Sequence, residues 1–224
     1  MIEVKNLIKS FKDGDVETKV LKGIDFKAEK GEFISIMGRS GAGKSTLLYQ
    51  MSLLDEPTSG EIIIDGHDAH TMSNEEKTKF RLQNCGYVFQ DYALLPELTA
   101  LENVVLPILM QKEEKAKAYN KAKDALTKVG LSHRLNSLPS QLSGGEQQRV
   151  SIARAISHNP KILFADEPTA NLDNESSASI LEIFKGLHEE GQTIMMVTHE
   201  ETYSKMAEKI IKIDDGKVVS VVKN

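Results

Sequence analysis

The chain holds 224 residues, 40% of them apolar and 27% charged, with 33 acidic against 28 basic side chains and a net charge of −5. That balance excludes a disordered chain, and the mild acidity argues against a surface built mainly to bind nucleic acid. The longest run without a charged residue is about eleven residues, roughly half of a membrane span; no cationic start leads into an apolar run as in a secretory signal, and the single cysteine, Cys85, cannot build a disulfide framework and suits a reducing compartment.

In chain order, Ile2-Glu3-Val4, Leu21 to Phe26 and Glu61 to Ile64 alternate polar and apolar residues, the pattern of strands with one buried face. Asp13-Gly14 and Asp65-Gly66 are hairpin-type turn signals, so this part reads as a small antiparallel sheet. Four runs are apolar on both faces: Phe33 to Met37, Tyr87 to Phe89, Ile162 to Ala165 and Ile194 to Val197. They predict central strands of a covered parallel sheet. Helical spacing separates them, in Ala118, Ala122, Ala125, Leu126 and Val129 closed by Gly130, in Val150 to Ile156 closed by Asn159-Pro160, and in Ile180 to Leu187 before Gly191. Strands alternating with helices imply an α/β core. Residues 91–159 carry no strand signal and read as a helical lobe inserted into a core made of residues 1–90 and 160–224, all within one domain.

Directly after the strand at 33–37 stands Gly38-Arg39-Ser40-Gly41-Ala42-Gly43-Lys44-Ser45, a complete G-x-x-x-x-G-K-[ST] motif, followed by an apolar helix from Thr46. Glycines let backbone N–H groups turn inward around an anion, and the helix start adds a fixed partial positive charge beneath it. Lys44 is then the group that reaches the β- and γ-phosphates of a nucleotide, and the Ser45 hydroxyl is the Mg²⁺ ligand. The motif by itself does not separate kinases, GTPases, helicases and transport ATPases.

Three of the core strands end in polar groups. The strand at 162–165 runs into Asp166-Glu167, with Asp166 suited to hold Mg²⁺ and Glu167, one residue on, to polarise an attacking water. Gln90 closes the strand at 87–89 and is a candidate for contact with Mg²⁺ or the water. His199 follows the strand at 194–197; it is either a γ-phosphate contact or a structural histidine. Together they converge on one crevice.

A second glycine pair lies in Leu142-Ser143-Gly144-Gly145-Glu146-Gln147-Gln148-Arg149, where Ser143 is a natural N-cap and the glycines leave N–H groups exposed at a helix start. This is a second anion-binding helix end in a chain with one phosphate loop. A head-to-tail pair of chains explains both, each chain's Ser143 segment capping the nucleotide on the other's Gly38–Ser45 loop.

At this point the sequence resembles the ATP-binding subunits of ABC transporters over essentially its whole length. The family's motifs stand in order: Walker A at Gly38–Ser45, the Q-loop glutamine Gln90, the signature Leu142–Gln147, the Walker B strand Ile162–Glu167, the D-loop Asn171-Leu172-Asp173 and the switch histidine His199. The resemblance implies a P-loop NTPase (RecA-like) α/β core with an N-terminal antiparallel β subdomain and an inserted α-helical subdomain. It implies Glu167 as catalytic base, His199 as γ-phosphate contact, Ser143 and Gly145 as contacts in trans, and Asp173 as a link between the paired sites. An aromatic from the N-terminal lobe stacks on adenine in this family; Phe11 stands at the matching position, where tyrosine is commoner. Within the family the chain is most similar to subunits of the macrolide-exporter and lipoprotein-releasing type, through Leu54 to Ile62, Val88 to Gln90, Leu94 to Val104 and Ala165 to Asp173.

The expected function is an ATP-hydrolysing motor that uses ATP and Mg²⁺, pairs with a second copy of itself and drives a separate membrane permease in export or membrane extraction. It would lie in the cytoplasm against the inner face of the membrane, binding no nucleic acid and touching no cargo. A soluble ABC ATPase of cofactor assembly is the alternative. Leu94, Leu95, Leu98, Val104, Val105 and Leu106 either offer the permease a groove or fill the helical lobe. Lys112 to Lys128 reads as a solvated helix face, His67 and His70 are too few for a metal site, Met195 and Met196 read as core, and Cys85 as inert.

Overall fold

The computed structural model describes residues 1–200 and 204–224. They group into two compact units, residues 1–79 with 191–224, and residues 80–190.

The first unit contains two sheet regions. Strands β1 (Ile2–Asp13), β2 (Val16–Ala28), β4 (Ser59–Ile64) and β5 (His67–Asp68) form an antiparallel sheet in the order β2-β1-β4-β5. Ile2 faces Ile64 and Ala28, and Val4 faces Ile62 and Phe26. That register puts Ile2, Val4, Ile62 and Ile64 on one buried face, as the period of two requires. The second region is built on β3 (Phe33–Met37), which runs parallel to β8 (Thr193–Val197) on one side and β9 (Lys209–Asp214) on the other. β10 (Lys217–Lys223) closes the edge antiparallel to β9. Every residue of β3 and β8 is buried, which is why both read as mainly apolar, Met195 and Met196 included, with Ser35 and Thr193 the polar residues they hold. Helix α1 (Lys44–Met51) follows β3 after a six-residue loop and is capped by Ser52, after which Leu53 takes a left-handed φ of 60°. Helix α2 (Asn74–Asn84) begins in this unit, and its one buried residue, Phe80, is the first of the second unit.

Lys209 ties the unit together. Its ammonium donates to both oxygens of Glu32, at 2.9 and 2.8 Å, and to the carbonyl of Lys27 at 3.1 Å. Burial alone would raise the pKa of Glu32. The hydrogen bonds from Lys209 and from the Glu29 backbone outweigh it, so the carboxyl stays below its usual range.

The second unit pairs two parallel strands, β6 (Cys85–Val88) and β7 (Ile162–Asp166), with Cys85 opposite Ile162 and Val88 opposite Ala165. Between them the regular elements are all helical: α3 (Ala100–Met110), α4 (Lys115–Lys128), a 3₁₀ turn (Pro139–Gln141) and α5 (Gly144–Ile156). Helix α6 (Asn174–Glu189) completes the unit. Helix α5 is central, packing against α3, α4, α6 and β6. Helix α4 buries Ala118, Ala122, Ala125 and Leu126 and leaves its lysines in solvent. Burial pushes the Cys85 thiol up to about 12, so it stays protonated and unreactive.

The apolar residues before and inside α3 differ in burial. Val104 and Val105 are buried core, whereas Leu95 is exposed. The segment in front of α3 is stapled by one side chain. Asn103, fully buried, accepts from the Leu95 N–H at 2.8 Å and donates to the carbonyls of Leu95, Leu98 and Thr99 at 3.1, 2.9 and 3.1 Å. Replacing Asn103 by leucine removes the acceptor of the Leu95 amide and the donor to the Leu98 carbonyl in a part-buried turn, while the Leu95 and Thr99 carbonyls keep backbone partners. We expect Asn103→Leu to lose about 1–3 kcal/mol of stability, read as a lowered urea midpoint at unchanged slope.

Candidate nucleotide site

The phosphate loop lies between β3 and α1. Gly43, the residue before α1, has φ 97°, a left-handed value that L side chains rarely adopt, and its carbonyl accepts from the Leu47 N–H at 2.9 Å to start the helix. Gly38 leaves β3 so close to the neighbouring strand that a Cβ would lie 2.2 Å from the Ile213 carbonyl oxygen. The loop is also held from outside. The Gly216 N–H, in the β9–β10 turn, donates to the Ala42 carbonyl at 3.2 Å. Arg39, Ser40 and Gly41 form the exposed side of the loop. Lys44 is 6% exposed, and its ammonium donates to the Arg39 carbonyl across the loop at 3.2 Å. Ser45 and Thr46 occupy the first turn of α1, with no acidic residue there to oppose an anion.

In the same unit, the Thr198 N–H donates to the Ile36 carbonyl at 3.1 Å, which aligns the carboxyl ends of β8 and β3. His199, the next residue, is exposed at the end from which the phosphate loop springs. Phe11 lies on β1 and is 47% exposed. The Lys9 ammonium lies 4.9 Å from its ring centroid, a cation–π contact, while also donating to Asp55 and to the Glu56 carbonyl.

The second unit carries the acidic and signature groups. Asp166 is the buried last residue of β7. Glu167, next in the chain and half-buried, has φ 41°. A left-handed backbone at a non-glycine residue costs about 1 kcal/mol or more and is typical of functional positions. Gln90 follows β6 at the same end of the parallel pair, and its carbonyl accepts from the Asn171 side-chain amide at 3.1 Å. Asp173 caps α6, accepting from the Ser176 N–H at 2.8 Å and the Ser176 hydroxyl at 2.9 Å.

Ser143 caps α5 in a full capping box. Its hydroxyl accepts from the Glu146 N–H at 3.2 Å, and Glu146 accepts from the Ser143 N–H at 2.9 Å and from Arg134 at 2.9 Å. The Ser143 oxygen is thereby fixed while its own proton remains to donate, and Gly144 and Gly145 form the first turn behind it. Sequence reasoning identified the cap and passed over what braces it: Arg134, Ser176, Tyr92 and Arg154 touch these motifs through backbone or short polar contacts that no spacing rule reveals.

A twisted α/β core whose buried strand delivers a complete G-x-x-x-x-G-K-[ST] turn to a helix start defines a P-loop nucleotide-binding protein. The family model described as ABC transporter matches residues 21–170. An uncharacterised ABC transporter ATP-binding protein of Methanocaldococcus jannaschii is 51% identical over 99% of both chains. The lipoprotein-releasing system ATP-binding protein LolD of Syntrophotalea carbinolica is 45% identical over 97% of this chain and 96% of its own. The macrolide export ATP-binding/permease protein MacB of Bdellovibrio bacteriovorus is 43% identical over 98% of this chain, which spans only 34% of that longer protein. Among solved structures, the ATP-binding cassette MJ0796 in a dimeric post-hydrolysis state bound to ADP and Pi superposes with a TM-score of 0.93 at 40% identity, covering 100% of this chain and 98% of that one. The chain belongs to the ABC transporter family.

The capping box makes a pH prediction. The pKa of Glu146 is held below its usual value, first by the Ser143 N–H and then, against the opposing effect of burial, by Arg134. A depressed folded-state pKa means stability that is full above the unfolded value, about 4.3, and is lost as pH falls through the folded value. Glu146→Ala should therefore destabilise the chain by about 1 kcal/mol at neutral pH, with the difference from wild type shrinking below about pH 4 in pH-resolved urea melts.

Proposed function

We propose that this chain is the ATP-binding and ATP-hydrolysing motor subunit of an ABC transporter, working as a head-to-tail pair around two ATP and driving a separate membrane permease in export or membrane extraction. The observation that carries this reading is the full-length match in fold, at 40% identity, to a cassette captured as a dimer with ADP and Pi. Two further points support it. The chain has two differently built N–H-rich helix starts, at α1 and α5, and LolD, matched over nearly its whole length, is an ATP-binding protein of a lipoprotein-releasing system. No helix among the described residues is long and apolar enough to cross a membrane. In this reading a membrane partner supplies the pathway, and the chain sits against the cytoplasmic face.

The proposed chemistry follows from the residues. Phe11 stacks on the adenine from a ring already backed by Lys9. The N–H groups of Gly41 to Ser45 and the start of α1 hold the β-phosphate, and Lys44 reaches the γ-phosphate. Ser45, Asp166 and the Gln90 side-chain carbonyl offer only oxygen donors, and Asp166 is a buried carboxylate at a strand end, a set that suits Mg²⁺. When bound with ATP, Mg²⁺ neutralises charge on the phosphates. Glu167 orients and polarises a water in line with the γ-phosphate, and His199 contacts that phosphate from β8. The partner chain's Ser143 hydroxyl and Gly145 N–H complete the cage, and Asp173 links the paired sites. After hydrolysis and departure of the freed phosphate, the γ-phosphate charge holding α5 of each chain against the other's nucleotide is gone, and the pair reopens.

Glu167→Gln keeps the shape and removes the base. We expect the turnover rate to fall about 10²–10⁴-fold and the chain to elute as a dimer in ATP and Mg²⁺; a monomer under those conditions removes the shared-site model. Lys44→Ala should abolish ATP binding or turnover, measured by nucleotide fluorescence and phosphate release. Co-purification from membranes separates the transporter motor from a soluble ABC ATPase: a polytopic partner is expected, and its absence overturns the transport role.

A further inference from the structure

The segment after Gln90 takes an unusual path. Tyr92 and Ala93 are consecutive non-glycine residues with φ 63° and 48°. Neither is a residue type that adopts a left-handed backbone unaided. Their own N–H groups donate to the Phe89 carbonyl at 3.4 Å and the Asp91 carbonyl at 2.7 Å, and one guanidinium holds the two carbonyls. Arg154, on α5, donates through one terminal nitrogen to the Ala93 carbonyl at 2.6 Å and through the other to the Tyr92 carbonyl at 2.9 Å. The planar fork fits two adjacent carbonyls pointing the same way, which is what the turn provides. No carboxylate pairs with Arg154 among the described residues, so its hydrogen bonding is committed to this turn.

The side chain of Tyr92 reaches the other end of the same helix. Its hydroxyl oxygen lies 3.0 Å from where a Cβ on Gly144 would stand, and the Leu172 side chain lies 3.5 Å from that point. At Gly145 a Cβ would meet the Ser176 hydroxyl at 2.8 Å, and Ser176 is bonded to Asp173. Asn171 closes the ring by holding the Gln90 carbonyl. The segment from Gln90 to Ala93, the start of α5 and the loop from Asn171 to Asp173 thus touch one another in a closed cycle within the second unit.

We propose that Arg154 is a positioning residue for the shared site: by clamping residues 92 and 93 in their left-handed turn it seats Tyr92 on the Gly144–Gly145 helix start, so that the Gln90 segment and the Ser143 cap move as one piece. Arg154 touches neither nucleotide nor water; it acts through Tyr92. The proposal rests on the reading of Ser143 and Gly145 as contacts to the partner's nucleotide.

The test uses the full chain carrying Glu167→Gln. Adding Arg154→Ala should weaken ATP-dependent self-association about tenfold, the scale of losing a charge-assisted pair of hydrogen bonds. ATP binding by the single chain should stay within about twofold, because the phosphate loop is built on other elements. Adding Ala93→Gly to Arg154→Ala should recover part of the association, since glycine takes the left-handed turn without a clamp; a residue that merely stabilises the fold has no reason to be rescued there. Undiminished association in Arg154→Ala, or no recovery with Ala93→Gly, overturns the proposal. If the Glu167→Gln parent itself does not associate, it is the shared-site reading that fails. Hydrogen exchange without nucleotide then decides the clamp, with faster exchange at Gly144 to Gln147 in Arg154→Ala expected and unchanged exchange refuting it.

Discussion

A triphosphate can be gripped by backbone only where several N–H groups turn inward on one centre, and most of the first unit is arranged to permit that turn. β3 is buried on both faces between β8 and β9, so the point at which the chain leaves the sheet is fixed. The Ile213 carbonyl stands where any side chain at position 38 would go. The Gly216 amide then holds the loop from the adjoining hairpin. A loop so constrained meets its ligand with little ordering left to do, and that is the condition for an electrostatic cradle to favour a developing charge.

The second unit solves a different problem with one helix. α5 is a packing hub with a capped, glycine-rich N-terminus. Its first turn is braced by Glu146 from within the turn, by Arg134 from the preceding loop, and by Ser176 and Tyr92 from the flanks. Gly144 is half-buried and Gly145 buried beneath these neighbours. Glu167 shows a related strain, a left-handed carboxylate residue at the end of an otherwise regular strand.

Much of this was legible in the sequence. The apolar runs at 33–37, 162–165 and 194–197 correspond to β3, β7 and β8, because two-sided burial leaves little room for polar residues, Ser35 being the one they contain. The helices around Ala118 to Leu126 and Ile180 to Leu187 were visible through their apolar stripes. Residues 74–84 gave no such signal, since α2 buries Phe80 alone. The C-terminal hairpin was likewise hidden, as β10 exposes Val219, Val221 and Val222 and so lacks the inside–outside alternation that marks a half-buried strand. At the site, the motif residues declared themselves through type and spacing. Arg154 and Asn103 did not, because their partners are carbonyls and amides, which every residue has.

The lysine of the phosphate loop has a consequence for affinity. Lys44 already spans the loop to the Arg39 carbonyl, so its long side chain is extended and nearly sealed from water. A free lysine loses about 2 kcal/mol of rotamer entropy when it is pinned. Here that loss belongs largely to folding. In the role proposed for Lys44, a phosphate would meet an ammonium whose freedom was already spent when the chain folded.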